Sequence, residues 1–193
     1  MFSKEKDINK FHKIYIDQLH KVLMDIDNKV LDKIKNKIID KIKNQKNIFV
    51  CGNGGSAAIS NHYVCDYLKL IRENTIYKPK FFSLNSNNEL ISAISNDMDY
   101  KKIFSYQLET YGKKDDLLIL ISSSGNSKNI MEALKFCKSK KIYTIGFSGF
   151  AGGYLNKNSN LSLHIKAKHY GLSEDSHHIF MHLIMQNIIY CLK

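Results

Sequence analysis

Over residues 5–45 the apolar positions recur at a helical period. Ile16, Leu19, Leu23 and Ile26 are spaced by three and four, and Val30, Ile34, Ile38 and Ile42 by four. Each set falls on one face of a helix, so the segment predicts two amphipathic helices, largely polar between the stripes. The rhythm then changes. "NIFVCG", residues 47–52, is a short apolar run closed by glycine and predicts a buried strand. A helix is expected from about Ser56. "KFFSLN" (80–85) reads as a second strand, "NELISAISND" and "KIFSYQLETYG" as helices, and "DLLILISSS" (116–124) as the clearest strand. "NSKNIMEALKFCKSKK" is helical and ends in lysines, which suit the negative end of a helix dipole. "IYTIGFSG" and "LSLHIKA" are two more strands, and residues 174–192 a last helix, with Ser173 placed as its N-cap.

Strands alternating with helices predict an α/β fold, with a mostly parallel sheet flanked by helices. The division expected is an N-terminal helical segment, 1–45, and one α/β domain, 46–193. The stripes of the first segment suit packing against a neighbour, such as another subunit.

Charge adds less than its size suggests. The formal net charge is +11, yet Arg72 is the only arginine among 29 basic residues, and the lysines are scattered among Asn and Ile. That is not the clustered, arginine-bearing face of a nucleic-acid binder. Cys51, Cys65, Cys137 and Cys191 are far apart with no C-x-x-C, so neither a disulfide framework nor a cysteine-only zinc site is expected. No secretory signal and no apolar run of the ~18–20 residues needed to span a bilayer is found, so a cytoplasmic setting is expected. Cys65 reads as buried packing, and Tyr67 and Tyr100 as core or interface residues.

The informative segments follow the strands, because ligands of open parallel sheets bind beyond the strands' carboxyl ends. After the first strand comes "GNGGS", residues 52–56, and after the central one "SSSGNS", residues 122–127. Glycine lets the backbone approach a ligand, and each loop opens a helix whose free N–H groups attract anions. The hydroxyls of Ser122, Ser123, Ser124 and Ser127 add donors that suit a phosphate monoester. Neither loop has the pattern of a nucleoside triphosphate or dinucleotide site.

Two helices carry candidate metal ligands. His62 and Asp66 are four apart, and Glu174, His178 and His182 are spaced by four, so each set shares a face. Imidazole with carboxylate suits zinc, and the two helices could meet around one ion. From the residues alone His182, set among Met181, Leu183 and Ile184, fits a core histidine as well as it fits a ligand.

"CGNGGSAA", "ISNDMDYKKIFSYQLE", "ISSSGNSKNIMEAL" and "GFSGFAGGYLN" resemble the sugar isomerase (SIS) domain. Within it they are most similar to the phosphoheptose isomerases, which convert sedoheptulose 7-phosphate to D-glycero-D-manno-heptose 7-phosphate for cell-surface heptose synthesis. The resemblance runs from about Ile48 to the C-terminus. It implies a three-layer sandwich, a homotetramer with sites between subunits, and one Zn2+ per subunit. The zinc ligands it implies are His62, Asp66, Glu174 and His182. Asp66 would be the base that moves the proton and His182 its acid/base partner. Phosphate and sugar contacts would fall on Asn53, Gly54, Ser56, Asn96, Asp97, Ser122, Ser123, Ser124, Ser127 and Glu174. Two acids depart from the family pattern. Asp66 stands where the family has Glu, which sets its carboxylate back by about 1–1.5 Å, a misplacement that can cost ~100-fold in rate. Glu174 stands where it has Gln, adding a negative charge. His178, on the face of His182, is an extra candidate ligand or acid. The alternatives are an isomerase of another phosphorylated ketose, and a non-catalytic SIS protein that acts by binding a protein partner.

Overall fold

The computed structural model describes residues 5–193. Its centre is a five-stranded, wholly parallel sheet: β1 Asn47–Gly52, β2 Lys80–Ser83, β3 Leu117–Ser122, β4 Tyr143–Ser148 and β5 Leu161–His164, in the spatial order β2-β1-β3-β4-β5. This is a doubly wound order. The chain leaves β1 in one direction to build β2 and returns to the other side for β3, so a crevice opens between the carboxyl ends of β1 and β3.

Eight α-helices accompany the sheet among the described residues: α1 Ile8–Met24, α2 Asn28–Lys43, α3 Gly55–Asn74, α4 Asn88–Asp97, α5 Ser105–Tyr111, α6 Lys128–Lys140, α7 Gly153–Asn158 and α8 Tyr170–Leu192. A parallel strand is covered on both faces, and its residues alternate between them. Ile48, Val50, Leu117, Ile119, Ile121, Ile145 and Phe147 point to one side, where they meet Ile34, Ile38 and Ile42 of α2, Tyr63, Tyr67 and Ile71 of α3, and Phe180, Met181 and Ile184 of α8. Phe49, Cys51, Leu118 and Leu120 point to the other, against Ile94, Leu108, Ile130, Leu134 and Leu155 of α4 to α7. The result is the three-layer α/β sandwich expected.

Several expected boundaries move. The helix expected over "KIFSYQLETYG" starts three residues later, as α5, and a 3₁₀ turn, Tyr100–Lys102, precedes it. α7 was not foreseen, because it is six residues long and opens on two glycines with positive φ. α8 starts at Tyr170 with His169 as its N-cap, so Ser173 is not the cap. Its hydroxyl instead donates back to the His169 carbonyl at 2.9 Å, the inward bond a helical serine makes when no solvent is near.

The N-terminal helices behave differently from each other. α2 buries its isoleucine stripe fully, whereas α1 buries no residue completely and leaves Ile8, Ile16 and Met24 exposed. No helix among the described residues is long and apolar enough to cross a membrane.

Candidate active site

The two loops singled out by sequence meet at the crevice between β1 and β3. The side chains of Asn53, after β1, and Asn129, in the first turn of α6, form a reciprocal amide pair: each Nδ2 donates to the other's Oδ1, at 2.9 and 2.8 Å. Tyr100 Oη also donates to Asn53 Oδ1 at 3.0 Å. Both partners of Asn53 were missed from sequence. Asn129 carries no local signal, and Tyr100, expected in the core or at an interface, is exposed on this chain rather than in its core, with its hydroxyl bound to Asn53.

Beside this pair lies a small polar cavity of about 150 Å³, lined by Asn53, Ser56, Ser122, Ser123, Ser124, Ser127, Tyr170 and Glu174. Ser123 Oγ is buried in the wall without a protein hydrogen-bond partner. Ser127 occupies the N-cap position of α6 but makes no cap bond, and its Oγ lies 3.4 Å from that of Ser122. Two helix N-termini, those of α3 and α6, open towards the cavity, so hydroxyl donors and positive dipole ends converge there. Gly54 precedes α3 at φ +55° with open space where a Cβ would stand. Gly125 is tighter. It sits at φ +65°, and a Cβ on it would lie 2.0 Å from the carbonyl oxygen of Gly152.

The second group lies further along α3 and α8. On α3, His62 and Asp66 follow Ser56. On α8, His178 and His182 follow Glu174, one and two turns on, or ~6 and ~12 Å at 1.5 Å per residue. Asp66 Oδ2 lies 3.3 Å from His62 Nε2 and 3.2 Å from His182 Nε2, so one carboxylate joins the helices. His178 Nε2 lies 2.7 Å from His62 Nδ1, with the two rings edge to face, and stacks on the His182 ring at 4.9 Å. One ligand nitrogen from each of His62, His178 and His182 can be chosen so that all three lie within 4.8 Å of one another. Three imidazoles beside a carboxylate form a donor set that fits zinc or a similar divalent cation. Partial burial and the neighbouring histidines hold the His178 pKa below its ordinary value, which favours the neutral ring a cation needs.

The sequence-derived set therefore divides. His62, Asp66 and His182 come together, with His178 as a further member. Glu174 lies at the serine cavity, where its carboxylate rests over the first turn of α3: a Cβ at Gly55 would meet Glu174 Oε2 at 2.6 Å. The positive end of α3 suits a negative group there. Asn96 and Asp97, at the end of α4, line a separate surface hollow and hydrogen-bond to each other at 2.8 Å. Cys65 is exposed rather than buried, since Ile59, Tyr63, Tyr67 and Ile71 form the inward stripe of α3 and position 65 lies off it.

Comparison with known proteins settles the family. A model of the SIS domain matches residues 14–149. A phosphoheptose isomerase of Campylobacter concisus is 34% identical over 143 residues, covering 74% of this chain and 75% of that protein. The chain belongs to the SIS-domain family, in its phosphoheptose isomerase branch. A second phosphoheptose isomerase, from Clostridium acetobutylicum, is 45% identical over 113 residues, 58% of this chain and 57% of its own length. Among solved structures, a phosphoheptose isomerase of Neisseria gonorrhoeae superposes with a TM-score of 0.86 over 96% of this chain and 98% of its own, at 22% identity. That likeness extends over α1 and α2 as well as the sheet. The protein is thus a phosphosugar isomerase by family, with a fold shared along nearly its whole length.

Proposed function

We propose that this SIS-domain protein interconverts sedoheptulose 7-phosphate and D-glycero-D-manno-heptose 7-phosphate in the cytoplasm. The observation that carries the reading is the Asp66 carboxylate held between the imidazoles of His62 and His182, further along the two helices that flank an anion cavity.

The division of labour follows from the chemistry. A phosphate monoester enters the serine cavity, accepting from the hydroxyls of Ser122, Ser123, Ser124 and Ser127 and from free N–H groups at the starts of α3 and α6. The sugar chain then runs along α3 and α8 towards Asp66. Glu174, at the cavity wall, accepts hydrogen bonds from sugar hydroxyls. Asp66 takes the proton from C1 of the ketose, leaving an enediolate, and after its carboxyl exchanges with solvent delivers a proton to C2 to give the aldose. His182 supplies a proton to the oxygen on C2 and removes one from the oxygen on C1, so charge does not accumulate on the substrate. A zinc or similar divalent ion would be held by His62, Asp66 and His182, and when bound supplies polarisation of the sugar's carbonyl and hydroxyl oxygens. Holding phosphate and reacting carbons at a fixed separation selects for the chain length of the sugar. The exposed apolar residues of α1 suit packing against another subunit, and the family resemblance makes that assembly a homotetramer with sites at subunit interfaces.

The test offers sedoheptulose 7-phosphate, fructose 6-phosphate and ribulose 5-phosphate separately and follows aldose formation by chromatography. Turnover of the heptulose in preference to the others is expected. Turnover confined to a shorter ketose would move the assignment to that sugar, and turnover of none would remove the isomerase reading.

A further inference from the structure

Glu174, His178 and His182 share one face of α8 at one-turn intervals, yet only the two histidines reach the side chains of α3 that face them. Glu174 is turned to the serine cavity, and its carboxylate occupies the space over Gly55. His178 does the opposite. Its Nε2 is directed at the His62 ring, and its own ring lies parallel to that of His182. We propose that His178 is the fourth ligand of the ion, in the place that the family resemblance gives to Glu174.

The inference rests on the proposed ion but not on the identity of the sugar. Four donors each about 2.0–2.1 Å from a zinc ion lie about 3.3 Å from one another, and an ion so held can still expand to five-coordinate to take a sugar oxygen. The Asp66 carboxylate already holds that spacing to His62 and His182, at 3.3 and 3.2 Å. One nitrogen from each of His62, His178 and His182 lies within 4.8 Å of the other two, and because His62 turns Nε2 to Asp66 and Nδ1 to His178, ligation by all three requires the imidazoles to rotate about their Cβ–Cγ bonds, a soft torsion. The third imidazole has two consequences. It compensates for Asp66, whose shorter side chain holds an ion less closely than the longer acid would. It also makes the set three nitrogens and one oxygen, which favours Zn2+ or Co2+ over the oxygen-seeking Mg2+, Ca2+ and Mn2+. Glu174 is released from the ion and keeps its negative charge at the substrate end of the site.

The experiment is X-ray absorption at the zinc edge on metal-stripped protein reloaded with Zn2+ alone, for wild type, His178→Ala, His178→Gln and Glu174→Ala. Three imidazoles per zinc are expected in wild type and in Glu174→Ala, and two in both His178 variants. Zn2+ affinity, measured by chelator competition, should fall in the His178 variants by more than the roughly 10–100-fold typical of losing a group that only orients a ligand. Two imidazoles in wild type would overturn the assignment and leave His178 as the hydrogen-bond partner that orients His62. So would a count that falls in Glu174→Ala instead, or no zinc bound at all. The wild-type count is decisive even where a variant fails to fold. Heptulose turnover by a two-imidazole enzyme would sink the ligand assignment alone, whereas a three-imidazole site without turnover would sink the isomerase reading alone.

Discussion

Replacing Gly125 by alanine tests the serine loop as a built phosphate cradle. Gly125 closes that loop: its N–H donates to the Ser122 carbonyl at 3.0 Å and lies 3.2 Å from Ser122 Oγ, and its carbonyl accepts from Leu155 N at 2.9 Å. An added Cβ would stand 2.0 Å from the carbonyl oxygen of Gly152 and 2.7 Å from its carbon. An ordinary C···O contact is about 3.3 Å or more, so backbone must move by about 1 Å. The moving atoms belong to the loop of Ser122, Ser123 and Ser124 or to the turn against it. The positive φ adds roughly 1–2 kcal/mol for a residue with a Cβ, and losing the Leu155 bond adds about 1 kcal/mol. Together about 2–3 kcal/mol is expected, or roughly 5–10 °C in Tm for a chain of this size. A displacement of about 1 Å in a substrate-positioning loop can cost ~100-fold in kcat/KM. Circular dichroism melts give the first number. Heptulose kinetics well below the variant's melting range give the second, free of unfolding. A Gly125→Ala protein that melts within about 1 °C of wild type and keeps its kcat/KM would refute both the clash and the cradle.

Three further outcomes follow from the structure. Asp66→Asn should keep its far-ultraviolet spectrum and lose about 100- to 10,000-fold in kcat, the worth of a general base, and retention of activity within tenfold would remove Asp66 from that role. His177 is fully buried with neither ring nitrogen hydrogen-bonded, and burial pushes its pKa down to about 4. The unfolded chain therefore takes up this proton near pH 6.5 while the folded one resists until about 4, so up to about 3 kcal/mol of stability is lost as pH falls through that window. Urea midpoints should fall accordingly in wild type and stay flatter in His177→Phe, and equal slopes would contradict the assignment. Asp116, buried at the start of the central sheet, accepts from Asn47 N and Lys113 N, both at 2.9 Å. Asp116→Ala should lower stability by about 2–4 kcal/mol in denaturant titration, and a loss below about 1 kcal/mol would show those amides find other partners.

How much of this was legible in the sequence depended on whether the signal was local. β1 and β3 announce themselves as apolar runs because both faces of a parallel strand are buried, and the two glycine–serine loops follow them directly. The i,i+4 pairs His62/Asp66 and His178/His182 could be read from helix geometry, and the structure sets them against each other. What escaped depends on distance in the chain. Asn129 lies 76 residues from its amide partner Asn53, and no local pattern marks it. Glu174 shares a face with the histidines, but which of three groups spaced by a turn meets α3 depends on how the helices pack. The start of α8 was missed by four residues, because His169 is an uncommon N-cap and Ser173 a common one. α7 depends on left-handed glycines that the sequence shows only as "AGGY".

The most direct measurement of the central claim is proton NMR of the zinc-supplemented protein with sedoheptulose 7-phosphate in D2O, with His182→Ala in parallel. Aldose anomeric signals carrying deuterium at C2, absent from the mutant, are the predicted result. A folded, zinc-bound protein that yields neither aldose nor exchange at C1 would contradict it.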